Sequence, residues 1–152
     1  MLEATPSTKV SQVVLNIDLA PTIVELSGAV PALTMDGRSL VPILQGSVPQ
    51  WRKAFLVEHW HEGVSIEGYP MPPEYVAARG SSPPLLFLLY PTVTSGRLGE
   101  YYKFSSDPAQ LRNLYGRQSL RKESDYLTQW LNSMKVCAGP GCVKLENAFS
   151  LP

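Results

Sequence analysis

Helix-capping and helix-breaking residues punctuate the run from Val13 to Gly46, VVLNIDLAPTIVELSGAVPALTMDGRSLVPILQG, closely enough to leave it few ways to fold. Val13, Val14 and Leu15 form a short β-prone cluster, and Asp18 is placed to cap the helix that follows. Pro21 falls in the first helical turn, where its missing N–H costs nothing because those donors have no intrahelical partner. Leu19, Ile23 and Leu26 stand at i, i+4 and i+7 on one apolar face, and Gly28 supplies a stop. Ser39 can cap a second, shorter helix over Leu40 to Gln45, ended by Gly46. Cap, turn or core accounts for each of these residues, and none has a chemical character of its own.

The remainder alternates between strand-length apolar runs and turn-forming clusters. Residues 1–12 are a polar lead-in, and Ser47 to Lys53 is a loop with Pro49 and Trp51. Ala54 to Glu58, Tyr75 to Ala78, Leu85 to Tyr90 and Glu100 to Phe104 read as strands. His61 to Glu74 is turn-like, and Gly, Ser and Pro clusters separate the other runs, as in an antiparallel meander. A helix follows. Leu120, Leu127, Leu131 and Met134, with Tyr126 and Trp130 beside them, make an apolar stripe opposite Arg121, Lys122, Glu123, Asp125 and Gln129. An aromatic stripe of this kind is core, so the helix is expected across one face of the small sheet.

At 152 residues the chain is long enough for a real core, since this size buries about 68–70% of the unfolded surface. Fourteen prolines and 11 glycines make it rich in loops. Thirteen basic and 13 acidic residues balance, so charge steers the chain to neither nucleic acid nor an anionic membrane. The most apolar run, Leu85 to Tyr90, has strand length and falls far short of the ~18 residues a membrane span requires. The polar start MLEATPSTKVSQ has no secretory h-region, so the chain is expected in the cytoplasm if Met1 is the true start.

Asp18-Leu19-Ala20-Pro21-Thr22 and Met35-Asp36-Gly37-Arg38-Ser39-Leu40 resemble, residue for residue, the stretch that closes the catalytic domain of sulfatases. These are the formylglycine-dependent sulfuric ester hydrolases of the alkaline phosphatase superfamily. Asp107-Pro108-Ala109-Gln110-Leu111-Arg112-Asn113-Leu114 is similar to a DPxQLxNL turn of that family. Glu100 to Phe104 is similar to the strand before it, with Lys103 where an aspartate is expected. Phe55 to Trp60 resembles a segment of arylsulfatase-like and N-acetylglucosamine-6-sulfatase-like members. The resemblance covers residues 10–142 and is weakest from Arg79 to Leu98, where relatives carry an RTxRYKY-type strand.

The resemblance implies an α/β (α+β) fragment: the final helical piece of an alkaline-phosphatase-like α/β domain, then a small antiparallel sheet packed by a C-terminal helix. The expected divisions are a lead-in over 1–12, the end of the catalytic domain over 13–53, the sheet-and-helix subdomain over 54–142, and a tail over 143–152. It also implies a lysosomal or extracellular parent. Its partner would be the missing N-terminal catalytic domain or another protein surface.

Sulfatase chemistry requires a Cys or Ser in C/S-x-P/A-x-R, oxidised to a formylglycine nucleophile. It also requires calcium held by Asp and Asn oxygens, with Lys and His groups for the ester oxygens and leaving group. None of these segments occurs, so calcium and formylglycine are expected only in a full-length parent, and no catalytic or metal residue is assigned here. Cys137 and Cys142 enclose Ala-Gly-Pro-Gly, a turn that lets the two sulfurs approach. A thioredoxin-like pair needs two intervening residues, and zinc needs four ligands. The family's similar CxGxxC clasp implies a Cys137–Cys142 disulfide. His59-Trp60-His61-Glu62 invites a metal or acid/base reading, because on a strand both imidazoles point one way. With no further ligands at motif spacing, His59 and His61 stand as candidates for a substrate rim in an intact enzyme, against ordinary packing. Asp107 and Asn113 read as turn residues, not general bases.

The sequence therefore predicts the structural, pocket-walling C-terminal portion of a sulfatase-like hydrolase, inactive alone. The alternative is a stand-alone non-catalytic binding module derived from one.

Overall fold

A computed structural model describes residues 9–47, 50–60, 73–92 and 98–152. In chain order its elements are helices α1 (Leu19–Ser27) and α2 (Val41–Leu44) and strands β1 (Ala54–His59), β2 (Tyr75–Ser81), β3 (Pro84–Leu89) and β4 (Gly99–Lys103). Helices α3 (Arg121–Met134) and α4 (Pro140–Ala148) complete the set. They divide into two compact units, the first formed by Met1–Lys53 with Val136–Phe149, the second by Ala54–Lys135 with Ser150–Pro152.

In the first unit a 3-10 turn over Asn16–Asp18 runs directly into α1. Gly28 ends α1 in the left-handed region at φ 67°, and the N–H groups of Gly28 and Ala29 close on the carbonyls of Glu25 and Val24. Ser39 accepts the Val41 N–H at 3.1 Å, one residue ahead of the expected role, because Leu40 takes the N-cap position of α2 and has no side-chain cap bond. Asp18 does not act as expected. It precedes α1 but makes no side-chain cap bond to it, because the 3-10 turn already occupies that position and the carboxylate is engaged elsewhere. The 143–152 segment is not a tail. Pro140 falls at the start of α4, where its ring is tolerated, and the helix runs to Ala148 with Cys142, Glu146 and Phe149 buried. The Cys137–Cys142 disulfide is formed, with Cα atoms 5.2 Å apart, and its second cysteine lies inside α4. The clasp therefore opens a further helix where the sequence reading had the fold ending.

The second unit is the expected meander: one antiparallel sheet in the order β1-β2-β3-β4. Leu56 pairs with Ala78, Ala78 with Phe87 and Phe87 with Tyr101, so one register line crosses all four strands, and Ala78, Phe87 and Tyr101 on it are buried. Helix α3 packs on β2 with Leu127, Trp130, Leu131 and Met134 buried, the stripe read from its spacing. Leu120 is half-buried in a 3-10 turn just ahead of the helix. Phe87 meets Tyr101 edge-on at 5.7 Å, a favoured aromatic geometry. In the divergent stretch, Pro84 to Leu89 forms β3, and Leu85 and Phe87 are fully buried there, so the apolar run supplies core. Lys103, the departure from the family's aspartate, bonds Glu123 of α3 at 2.8 Å.

The apolar face of α1 is present but uncovered. Leu19, Ile23 and Leu26 remain 57%, 65% and 51% exposed, and Val30 and Leu33 beyond the helix 92% and 81%. Exposed apolar side chains repeated along one helix face mark an interface or an association site. The isolated chain is expected to enhance the fluorescence of a hydrophobic dye or to self-associate. Ile23→Ser with Leu26→Ser should abolish that signal while shifting stability by about 0.5 kcal/mol or less, as exposed positions do. A dye-silent, monomeric wild type would refute the assignment. Opening the Cys137–Cys142 loop should cost about 2 kcal/mol by loop-closure entropy, read as a lower melting temperature of the reduced, alkylated chain.

Candidate functional site

Two constellations hold polar groups under tension, one in each unit. In the first unit Arg52, just beyond the Trp51 loop, is fully buried and reaches two carboxylates. Its Nη2 donates to Asp18 Oδ1 at 2.7 Å, its Nη1 to Asp18 Oδ2, and its Nε to Glu146 Oε2 at 3.0 Å. Arg38 completes the set, donating from Nη2 to the same Glu146 oxygen and from Nη1 to Asn147 Oδ1 at 2.8 Å. Both guanidinium groups also lie against the Trp51 ring, at 4.9 and 5.4 Å from its centroid. Two positive and two negative charges are thus buried together.

Burial alone would raise the Asp18 carboxyl. The Arg52 guanidinium and the backbone N–H groups of Arg38 and Leu15, at 2.9 and 2.8 Å, outweigh it and hold the carboxyl below its ordinary value. For Arg52, burial works to lower the guanidinium pKa, and the bonds to Asp18 and Glu146 reverse that and raise it. The Asp18 carboxylate and the Arg52 guanidinium are each favoured in the charged form. This cluster escaped the sequence reading. Its members lie 34 and 94 residues apart, and only Asp18 and Arg38 fall in recognised motifs.

In the second unit His59 closes β1 opposite Tyr75 of β2, and the two rings stack at 5.4 Å. His59 is half-buried, and its Nε2 is buried with no hydrogen-bond partner among the described residues. His61 lies outside the described residues. Among the described residues no group of three His, Cys, Asp or Glu side chains could hold a metal ion.

The turn residues have structural duties. Asp107 accepts the N–H groups of Leu111 and Arg112 at 3.1 and 2.9 Å. Asn113 accepts those of Tyr101 and Tyr115 and donates to the Gly99 carbonyl, fastening the outer edge of β4. Glu123 accepts the Tyr101 hydroxyl; burial first, and then this carboxylate, push the Tyr101 pKa far up, so the phenol stays protonated. None of these is a base awaiting a substrate.

The family described as N-sulphoglucosamine sulphohydrolase, C-terminal, matches residues 2–136. Human N-acetylglucosamine-6-sulfatase is 43% identical over 63 residues, 40% of this chain and 11% of the relative. The Drosophila melanogaster extracellular sulfatase SULF-1 homologue is 39% identical over 56 residues, 34% of this chain and 5% of the relative. A protein solved in complex with its substrate D-glucosamine-2-N,6-O-disulfate shares the fold at a TM-score of 0.62 and 18% identity, across 88% of this chain and 25% of that one. The chain thus matches only a small part of the length of these relatives.

Removing one member of the buried charge set leaves its partner uncompensated. Asp18→Asn is expected to cost about 3 kcal/mol near neutral pH. The Asp18 pKa is lowered on folding, so its contribution is complete above the unfolded value of 3.8 and is lost as pH falls through the folded value. Chemical denaturation of wild type and variant should show a gap that is constant above about pH 5 and closes under acid. A gap that widens with acid would contradict the assignment.

Proposed function

The chain belongs to the N-sulphoglucosamine sulphohydrolase C-terminal family, and we propose that it serves as the non-catalytic, pocket-walling region of a sulfuric ester hydrolase. The observation that carries this reading is the match over residues 2–136, in a sequence that contains none of the segments sulfatase chemistry needs. The residues present do not fit formylglycine or calcium. Both cysteines are tied in the disulfide, and the buried carboxylates Asp18 and Glu146 are neutralised by Arg38 and Arg52. On this reading the nucleophile and the hard cation belong to a catalytic region outside these 152 residues. The uncovered face of α1 supports the same reading, since it is an apolar surface suited to such a region.

His59 is the residue best placed to meet substrate: a β1-terminal imidazole, stacked on Tyr75, with a ring nitrogen that has no partner among the described residues. The name of the human relative makes N-acetylglucosamine 6-sulfate the substrate to test. A lysosomal or extracellular parent is part of the proposal, supported by the disulfide, which reducing compartments seldom allow.

The purified chain should not hydrolyse aryl sulfates or N-acetylglucosamine 6-sulfate, with or without calcium. Turnover that survives repurification and disappears in His59→Ala would overturn the non-catalytic assignment. In a full-length enzyme carrying this region, His59→Ala should raise KM several-fold, the order of one lost hydrogen bond, and leave kcat nearly unchanged. An equal fall in kcat and kcat/KM would instead place His59 in the chemical step.

A further inference from the structure

The first turn of α4 depends on bonds from outside the helix. At nine residues α4 is shorter than the ~12–15 that sustain an isolated helix in water. Its N-cap, Gly139, has no side chain to cap it and sits at φ 50°, and Gly141 follows within the first turn. What holds this turn instead is the Gly139 N–H bond to Asp36 Oδ1 at 2.6 Å and the link from Cys142 back to Cys137. Cys142 and Glu146 stand at i and i+4 on the buried face, 5% and 2% exposed. The covalent anchor thus lies one turn ahead of the carboxylate on which Arg38 and Arg52 converge. Asn147 comes next, so both side-chain acceptors of Arg38 among the described residues belong to α4.

A disulfide that acts only by restricting the unfolded chain leaves the native contacts as they are. Here the link also bears on a short helix that carries one of the two carboxylates of the buried charge set. We propose that Cys137–Cys142 is a thiol-sensitive latch: opened by a dithiol, it loosens α4 in the folded chain and withdraws Glu146 and Asn147 from the two guanidinium groups. Half-buried Cys137 is the sulfur that an external thiolate reaches, since Cys142 is buried. Attack there forms a mixed disulfide and expels Cys142 as a thiolate, which takes up a proton. The second thiolate of the dithiol then displaces Cys137, leaving two protein thiols and one cyclic disulfide. Once α4 loosens, the Arg52 guanidinium retains Asp18, whereas that of Arg38 keeps only the Trp51 ring. The redox state of the surroundings thereby sets the order of the first unit.

The test is heteronuclear NMR with amide exchange on the full chain, oxidised and in excess dithiothreitol, well below the melting temperature of both forms. Reduction should shift the Arg52 Nε–H, which bonds Glu146, and the Trp51 indole N–H. It should also speed exchange of the α4 amides from Cys142 onward at least about tenfold, the order of one charge-assisted hydrogen bond. Amides within β2 and β3 should keep their rates. Cys137→Ser with Cys142→Ser should give the reduced spectrum with no dithiol present. In Glu146→Gln, reduction should lower the melting temperature less than in wild type, because the contact held by the latch is already gone. Four results overturn the proposal: α4 and Arg52 signals unmoved by reduction, sheet protection lost together with that of α4, a serine variant that matches the oxidised chain, or an equal fall in melting temperature in wild type and Glu146→Gln.

Discussion

The first unit is organised around the Arg52 guanidinium. Taking it fully out of water is affordable only because it reaches Asp18 and Glu146, 34 and 94 residues away in sequence, in one arrangement. A buried ion pair adds little net stability over a well-packed apolar substitute. Its effect is one-sided: any packing that separates the partners leaves a bare charge in the interior. The unit therefore tolerates few alternatives to the placement of α1, the Trp51 loop and α4 relative to one another. Arg38 joins through the same Glu146 oxygen, so the turn that carries it is fixed as well.

In that turn the residues of the two family motifs bond to one another and to the rest of the unit. Asp36 accepts the Gly139 N–H at 2.6 Å, which ties it to the disulfide loop. Gly37 passes so close to the 3-10 turn that a Cβ would fall 2.0 Å from the Ile17 carbonyl oxygen, so no other residue fits. The Arg38 N–H reaches Asp18, the Ser39 hydroxyl accepts the Val41 N–H, and the Leu40 N–H reaches the Thr22 hydroxyl, which itself donates to the Asp18 carbonyl. Asp18 and Thr22 of the first motif thus bond directly to Arg38 and Leu40 of the second. Each residue satisfies a donor or acceptor that would otherwise be orphaned in the interior.

Local signals were legible in the sequence, and long-range ones were not. The four strands, the Gly28 stop and the α3 stripe follow from period and punctuation, and the family motifs identified the C-terminal region of a sulfatase. Asp18 was misread because a carboxylate before an apolar helix looks like a cap, and nothing local announces an arginine 34 residues on. Helix α4 was missed because Gly139 and Pro140 read as a turn, whereas Pro140 is tolerated at the start of a helix. Its residues also lack a strong apolar period. They are held by Glu146, whose side chain bonds both arginines and whose carbonyl accepts the Lys53 N–H at 3.0 Å.

Counting partners also separates the functional candidate from the structural polar groups. Asp107 has two backbone donors, Asn113 has three bonds, and Glu123 holds both Tyr101 and Lys103. Such groups contribute through the bonds they already make, and a substrate could engage them only by breaking those bonds. His59 differs. Its ring stacks on Tyr75, while the buried Nε2 has no acceptor or donor opposite it among the described residues. An orphaned buried nitrogen costs about 1–3 kcal/mol unless something pairs with it. On the proposed reading, a group that paired with it would recover part of that cost. It is on this ground, and not from its place in the His-Trp-His-Glu string, that His59 remains the rim candidate.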